Sequence, residues 1–438
     1  MNQDDTGQLK RSLGLTAVVA LGLNGVIGQG IFLTPGKAST LMGPSAVVAL
    51  LIGAVLCFLI ALCFAEVGSR FHSTGGAYLY ARKAFGEFVG FEVGWMTCCV
   101  AIIAWATLAN GFTLVLASFV PEVGAGVTQK VVAVSLVVIL TAVNLFGVKS
   151  GAVVVKIFTV AKLIPLAAFI LVGAFYLDGG NFSPFAPQGM EPLAQTTIVL
   201  LYAYVGFETM VVPAGEMDDP KRSVPLALFV VLAICTVVYI SVYIVATGTL
   251  SELSGNTNPI VVAATGFMGP IGGSIIALGI VLSVFGTNSG SALVNPRRFF
   301  AMAERGDLPR ILSRVNPKTG APVPAILLTA GATIALTVAG SFEQLLVLGV
   351  IARFGQYIPT CLAVIVFRRR PDFDPEAGYT IPFGPCVPVL ALALCGWLLW
   401  YQSAEKLIAG AVALGVGIPL YFVSRLTNKD SESADPES

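Results

Sequence analysis

The sequence predicts an all-helical integral membrane protein of about twelve spans, with the first and sixth spans broken. Composition is the first ground: 56% of residues are apolar and only 11% charged, with a mean hydropathy of +0.86. Soluble domains carry about 25% charged residues. The second ground is the recurrence of long runs that hold no charge or a single one. The third is a pair of glycine-containing interruptions, one in the first run and one in the sixth.

The first run covers residues 12–36, long enough for a bilayer, since about 20 apolar residues cross the hydrocarbon. Inside it lies Gly25-Val26-Ile27-Gly28-Gln29-Gly30-Ile31-Phe32. Each glycine costs a helix about 1 kcal/mol relative to alanine. Backbone groups freed by a break at membrane depth are tolerated only where they line a cavity or bind something. Close helix packing on small residues is the other reading of these glycines. Residues 38–65, 93–121, 131–148 and 157–177 supply the next four spans. The sixth starts at Pro192 and runs on to 215, through Leu201-Tyr202-Ala203-Tyr204-Val205-Gly206-Phe207-Glu208-Thr209. It places a glycine and a carboxylate deep in the membrane. Residues 223–251, 259–296, 321–342, 344–367, 387–404 and 407–424 complete the set.

A break in the first helix and another five helices later are oppositely oriented, as an inverted repeat requires. Half-helix N-termini favour an anion, and C-termini with loose carbonyls favour a cation. A zwitterion satisfies both, which points to an amino-acid-like solute.

Basic residues set the expected orientation. With a cytoplasmic N-terminus, Lys10, Arg11, Arg70, Arg82, Lys83, Lys149, Lys156, Lys221, Arg222, Arg297, Arg298, Arg305, Arg310, Arg314, Lys318, Arg368, Arg369, Arg370, Arg425 and Lys429 fall on that side. Outer loops hold only Lys130 and Lys406, and Lys37, Lys162 and Arg353 fall within or beside helices. The positive-inside rule then places both termini in the cytoplasm. The first run is too long for a cleavable signal peptide. The eight cysteines lack metal-ligand spacing beside a histidine and read as small core residues. His72, the only histidine, falls in a loop. No nucleophile set, Walker loop or zinc signature is present, so neither an enzyme nor a cofactor or metal is expected, and no nucleic-acid partner. The polar tail after Lys429 reads as disordered.

Six motifs in a fixed order resemble the amino acid–polyamine–organocation transporters over nearly the whole chain. They are the glycine cluster at 25–32, Ala65-Glu66-Val67-Gly68 followed by Gly75-Gly76-Ala77-Tyr78, and Gly206-Phe207-Glu208. Then come Glu216 with Asp219-Pro220-Lys221-Arg222-Ser223-Val224-Pro225, Arg305-Gly306-Asp307-Leu308-Pro309, and Pro322. The resemblance implies the leucine-transporter fold: five-helix repeats over residues 12–177 and 178–370, two further helices over 371–424, and cytoplasmic segments at 1–11 and 425–438. It implies alternating access, with a substrate carboxylate on the N–H groups of Gly28, Gln29 and Gly30. The ammonium would meet carbonyls of Val26, Tyr202 and Val205 at the break around Gly206. Tyr202 matches a gating aromatic, with core packing as its alternative role. Gln29 departs from the Ser, Ala or Thr usual at its position, adding two donors and an acceptor to the pocket and taking volume.

Ionisable groups at membrane depth read as functional by default. Lys162 matches a lysine that in relatives stands where sodium sits in sodium-driven members. The resemblance places it facing Gly25, with Ser283 and Thr287 as partners. Sodium independence follows, and protons are the candidate coupling ion; snorkelling to the interface is the alternative. Glu208 ties the second break together or titrates during transport. Glu66 and Glu92 read as structural, and Arg353 as pairing with Glu343 in an outer gate. Residues 283–295 are mostly small and hold no tryptophan, which favours a neutral amino acid; a cationic amino acid or polyamine is the alternative. A channel or receptor would not need paired breaks. The expected partners are the substrate, protons and membrane lipid, in a monomer or homodimer that needs no glycoprotein subunit.

Overall fold

The computed structural model describes residues 14–71, 75–145, 151–212, 214, 217–317 and 319–432, with side chains described outside 151–161 and 426–432. His72, Lys149, Glu216, Lys318 and the Lys156 side chain lie outside the described set. Fourteen helices carry the described residues, without a strand among them. The first span is two helices, α1 (Leu15–Val26) and α2 (Gly30–Met42), parted at residues 27–29. Then follow α3 (Ala46–Gly68), the short α4 (Ala77–Phe85), α5 (Glu87–Leu116), α6 (Gly126–Leu145) and α7 (Gly151–Gly173). The sixth span is α8 (Leu193–Tyr204) with a 3₁₀ segment, Phe207–Val211. The remainder are α9 (Pro220–Thr249), α10 (Pro259–Glu304), α11 (Val323–Ala339), α12 (Phe342–Arg368), α13 (Cys386–Trp400) and α14 (Ala404–Glu432). By length and composition seven helical segments are long and apolar enough to cross a membrane, and four further apolar helices of 10–17 residues accompany them.

Local chemistry sets the boundaries. Proline stands at the first position of α9 and α10, where its missing N–H costs nothing. Asp219 caps α9 by accepting from the Arg222 N–H, and Ser341 with Gln344 forms a reciprocal capping box on α12. Gly43, at φ +61°, ends α2, so that helix continues past the expected boundary and carries Lys37 on its last turns. Gly269, at φ +73°, kinks α10. The tail was expected to be irregular after Lys429, yet α14 continues to Glu432; no proline or glycine in that stretch stops a helix already propagating.

Packing is reciprocal. α1 packs on α9 while α8 packs on α3, and α5 packs on α12 while α10 packs on α7. Exchanging the first five spans for the next five reproduces the same pairs. The apolar core threads through α1, α3, α8, α9 and α12. α14 is peripheral: 11% of its apolar window is buried, against 67% for α5.

Basic residues converge on one end of the bundle. Arg368 grips Glu66 with two bonds of 2.6 and 2.5 Å, Arg70 reaches Thr380 and the Asp374 carbonyl, and Arg370 reaches the Lys83 carbonyl. Arg82 pairs with Asp307 at 3.1 Å, which also accepts from Tyr78. Burial, then that bond to Asp307, pushes the Tyr78 phenol up from its ordinary value, so it stays a donor. At the other end Lys37 pairs with Glu343 at 3.0 Å. Lys130 is not the loop residue expected. It sits in the first turns of α6, half-buried, and donates to Asn110 Oδ1 and the Thr337 and Gly340 carbonyls. There it caps the C-terminal end of α11, whose last carbonyls lack intrahelical donors.

Candidate functional site

The two breaks meet. Gly206 has φ +113°, and a Cβ placed there would lie 2.7 Å from the Gly25 carbonyl oxygen. Only glycine combines that dihedral with so close an approach. The Gly206 N–H is held by Glu208 Oε2 at 2.9 Å, and its carbonyl accepts from the Thr209 hydroxyl at 2.6 Å.

The backbone of the first break is accounted for group by group. The Leu23 carbonyl accepts from the Ile27 N–H at 3.0 Å, and the Val26 carbonyl from the Gly28 N–H at 2.8 Å. Val26 also accepts from the Tyr239 hydroxyl, which reaches the Ala203 carbonyl as well, at 3.1 and 2.9 Å. One phenol therefore bridges both breaks. Gly28, expected to offer its N–H to a carboxylate, spends it on Val26 because the chain turns back before α2 starts. At the start of α2 the Phe32 and Leu33 N–H groups donate to the Gln29 carbonyl at 3.1 Å, while those of Gly30 and Ile31 have no intrahelical acceptor.

Lys162 is fully buried. Its amine donates to the carbonyls of Asn24 (3.0 Å) and Ile27 (2.7 Å) and to Thr287 Oγ1 (3.2 Å). Three acceptors match the three protons of an ammonium. Thr287 gives its own proton to the Ser283 carbonyl at 3.0 Å. Snorkelling is excluded by this burial. Ser283 is not a side-chain partner of Lys162: its hydroxyl makes no bond, because Thr287, one turn further on, takes the position facing the amine. Gly25 faces Gly206 rather than the amine, and its neighbours Asn24 and Ile27 supply the carbonyls.

Glu208 is 4% exposed and carries four contacts. Oε1 accepts from Arg353 Nε (3.0 Å) and Gln356 (3.5 Å), and Oε2 from the Tyr357 hydroxyl (3.0 Å) and Gly206. Arg353 therefore does not pair with Glu343, as the sequence suggested. It points inward from mid-helix in α12, while Glu343, in the first turn, is taken by Lys37. Gln29 is fully buried. Its Nε2 donates to the Thr107 carbonyl (2.8 Å) and the Tyr202 hydroxyl (2.9 Å), and its carboxamide lies flat against Gly111. Tyr202 meets Phe342 edge-on at 6.0 Å. Val205 is the extended residue that ends α8. A groove of about 710 Å³ between α3 and α9, lined by Phe58, Phe229 and Arg222, lies at the basic end, away from these residues.

The sequence profile of the amino acid permease family matches residues 13–418. The chain belongs to the amino acid permease family. Among similar proteins, the methylthioribose transporter of Bacillus subtilis is 28% identical over 96% of this chain and 95% of its own length. The serine/threonine exchanger of the same organism is 30% identical over 96% of this permease and 98% of itself. Its branched-chain amino acid permease is 26% identical over 95% and 93%. The permease is a multi-pass membrane transporter. Its two breaks, lysine and carboxylate were legible as motifs. Tyr239, Tyr357 and Gln356 were not, since each lies in an apolar run and gains its role from a partner 36 or more residues away.

Proposed function

We propose that this permease moves neutral amino acids by alternating access, without sodium, coupled to protons or by exchange. The observation that carries the reading is the crossing of the two helix breaks with the Lys162 amine inserted between α1 and α10. The N–H groups of Gln29 and Gly30, at the start of α2, suit a carboxylate. The carbonyl end of α8, at Tyr202 and Val205, suits an ammonium, whereas the Val26 carbonyl is taken by the Gly28 N–H and the Tyr239 hydroxyl. The Lys162 amine occupies the Asn24 and Ile27 carbonyls that a metal cation would otherwise seek, which supports sodium independence. Tyr202, pinned between Gln29 and Phe342, is the gate over the site. Glu208 is neutralised by Arg353, so the cationic-substrate alternative lacks its counter-charge there. By the positive-inside rule the basic end faces the cytoplasm, which supports the reading of both termini on that side of the cytoplasmic membrane.

Uptake of a radiolabelled neutral amino acid panel into proteoliposomes tests this. The expected result is saturable uptake that ignores sodium and rises with an inward proton gradient or with internal substrate. Sodium-dependent uptake, or movement of polyamines and cationic amino acids in place of neutral ones, overturns it.

A further inference from the structure

Three amide side chains surround the crossing, and each has a carbonyl oxygen with no donor: Asn24 Oδ1, Gln29 Oε1 and Asn288 Oδ1. All three residues are at most 8% exposed. The orientation of two of them is fixed. Gln29 Nε2 donates to the Thr107 carbonyl at 2.8 Å, and Asn288 Nδ2 to the next carbonyl of α5, Leu108, at 3.2 Å and to Val284 at 2.9 Å. Backbone carbonyls only accept, so each amide nitrogen must face them and each oxygen must face elsewhere. The two amides thus hang side by side from consecutive carbonyls of α5, with bare acceptors.

A single added carbon is tolerated beside them. A Cβ on Gly28 would meet only Thr287 Cγ2, at 3.7 Å, and one on Gly290 only Asn24 Nδ2, at 4.0 Å. The same addition at Gly30 would fall 2.6 Å from the Ala203 Cα. A small group is therefore tolerated between α1 and α10, and not between α2 and α8.

We infer that the side-chain subsite of this permease selects a short substrate side chain that donates a hydrogen bond, a hydroxyl above all, with Gln29 Oε1 and Asn288 Oδ1 as its acceptors. This rests on the reading of the site as one for neutral amino acids. An aliphatic side chain leaves both buried acceptors unpaired, a carboxylate sets oxygen against oxygen, and a hydroxyl pairs with either. Gln29 fills the volume against Gly111, which keeps the side chain short.

Threonine and valine have nearly the same shape and differ in one donor, so the pair isolates the effect. In proteoliposomes threonine is expected to show kcat/KM at least about 10-fold above valine, since a site built to bond a hydroxyl rejects the analogue lacking it. Gln29→Met and Asn288→Leu are each expected to bring the threonine-to-valine ratio toward one. Should those variants not fold, wild-type protein in detergent still reports: threonine raises its Tm and valine does not. Valine moved and bound as well as threonine overturns this inference and leaves neutral amino acid transport standing. Transport of neither overturns both. A ratio unchanged in both folded variants overturns the assignment to these amides.

Discussion

Lys162 shows how one side chain holds a helix end that has no helical partner. Two of its three bonds replace the N–H groups that α1 would have used had it continued, and the third ties it to Thr287 on α10. Lys162→Ala leaves the Asn24 and Ile27 carbonyls without donors, and each such loss costs about 1–3 kcal/mol. We expect proteoliposome uptake to fall to background and the Tm in detergent to drop by several degrees. Uptake that persists with its proton dependence intact would remove Lys162 from the coupling role. The glycines of the site separate by the same reasoning. Gly206→Ala forces a side chain into φ +113° and onto the Gly25 carbonyl. A strained backbone alone costs about 1–3 kcal/mol. Gly28→Ala meets only Thr287 at 3.7 Å and should leave the Tm nearly unchanged. Equal melting of the two variants would mean that the breaks do not cross as described.

Among the elements, α12 does most to hold the sixth span open. Arg353, Gln356 and Tyr357 lie within about one turn of helix and face one carboxylate, Glu208, which in turn holds the Gly206 N–H. Residues three and four apart share a helix face, so the cluster follows from the spacing once α12 is docked. Removing one partner of a buried ion pair costs about 3–5 kcal/mol, because the other charge stays buried and uncompensated. Glu208→Gln should therefore melt well below wild type, and Glu208→Gln with Arg353→Met should recover part of that loss. A double variant as unstable as the sum of the two single ones would show that the pair is not coupled. The outer pair Lys37–Glu343 is a contrast, with side chains 43% and 64% exposed. Exposed pairs contribute about 0–1 kcal/mol.

At the scale of the whole molecule, charge is sorted to the two ends while the flanks of the bundle stay apolar. Exposed Val127, Val131, Ile164, Leu171, Ile408 and Val412 are the kind of surface that lipid covers. The segment before α13 docks on Arg70 and Arg368 at the basic end, which brings the exposed Cys386 there, while six of the other seven cysteines are buried. A membrane-impermeant maleimide should label Cys386 in inside-out vesicles and not in intact cells, with Cys386→Ser as the control. Labelling from outside would reverse the proposed orientation.

The sequence by itself determined the class, the succession of apolar elements and the position of both breaks. Each of these is local: apolar run length, glycine cost and charge placement act within about one turn or one span. It also flagged Lys162 and Glu208, because a charge inside an apolar run stands out without any knowledge of its surroundings. Only the tertiary structure decided who meets whom. Arg353 turned from Glu343 to Glu208, Ser283 gave way to Thr287, Lys130 became a helix cap, and Tyr239 joined the two breaks. Those outcomes depend on the rotation and depth of each helix against its neighbours. Pattern does not specify them, since in lipid the apolar residues facing out and those facing in look alike.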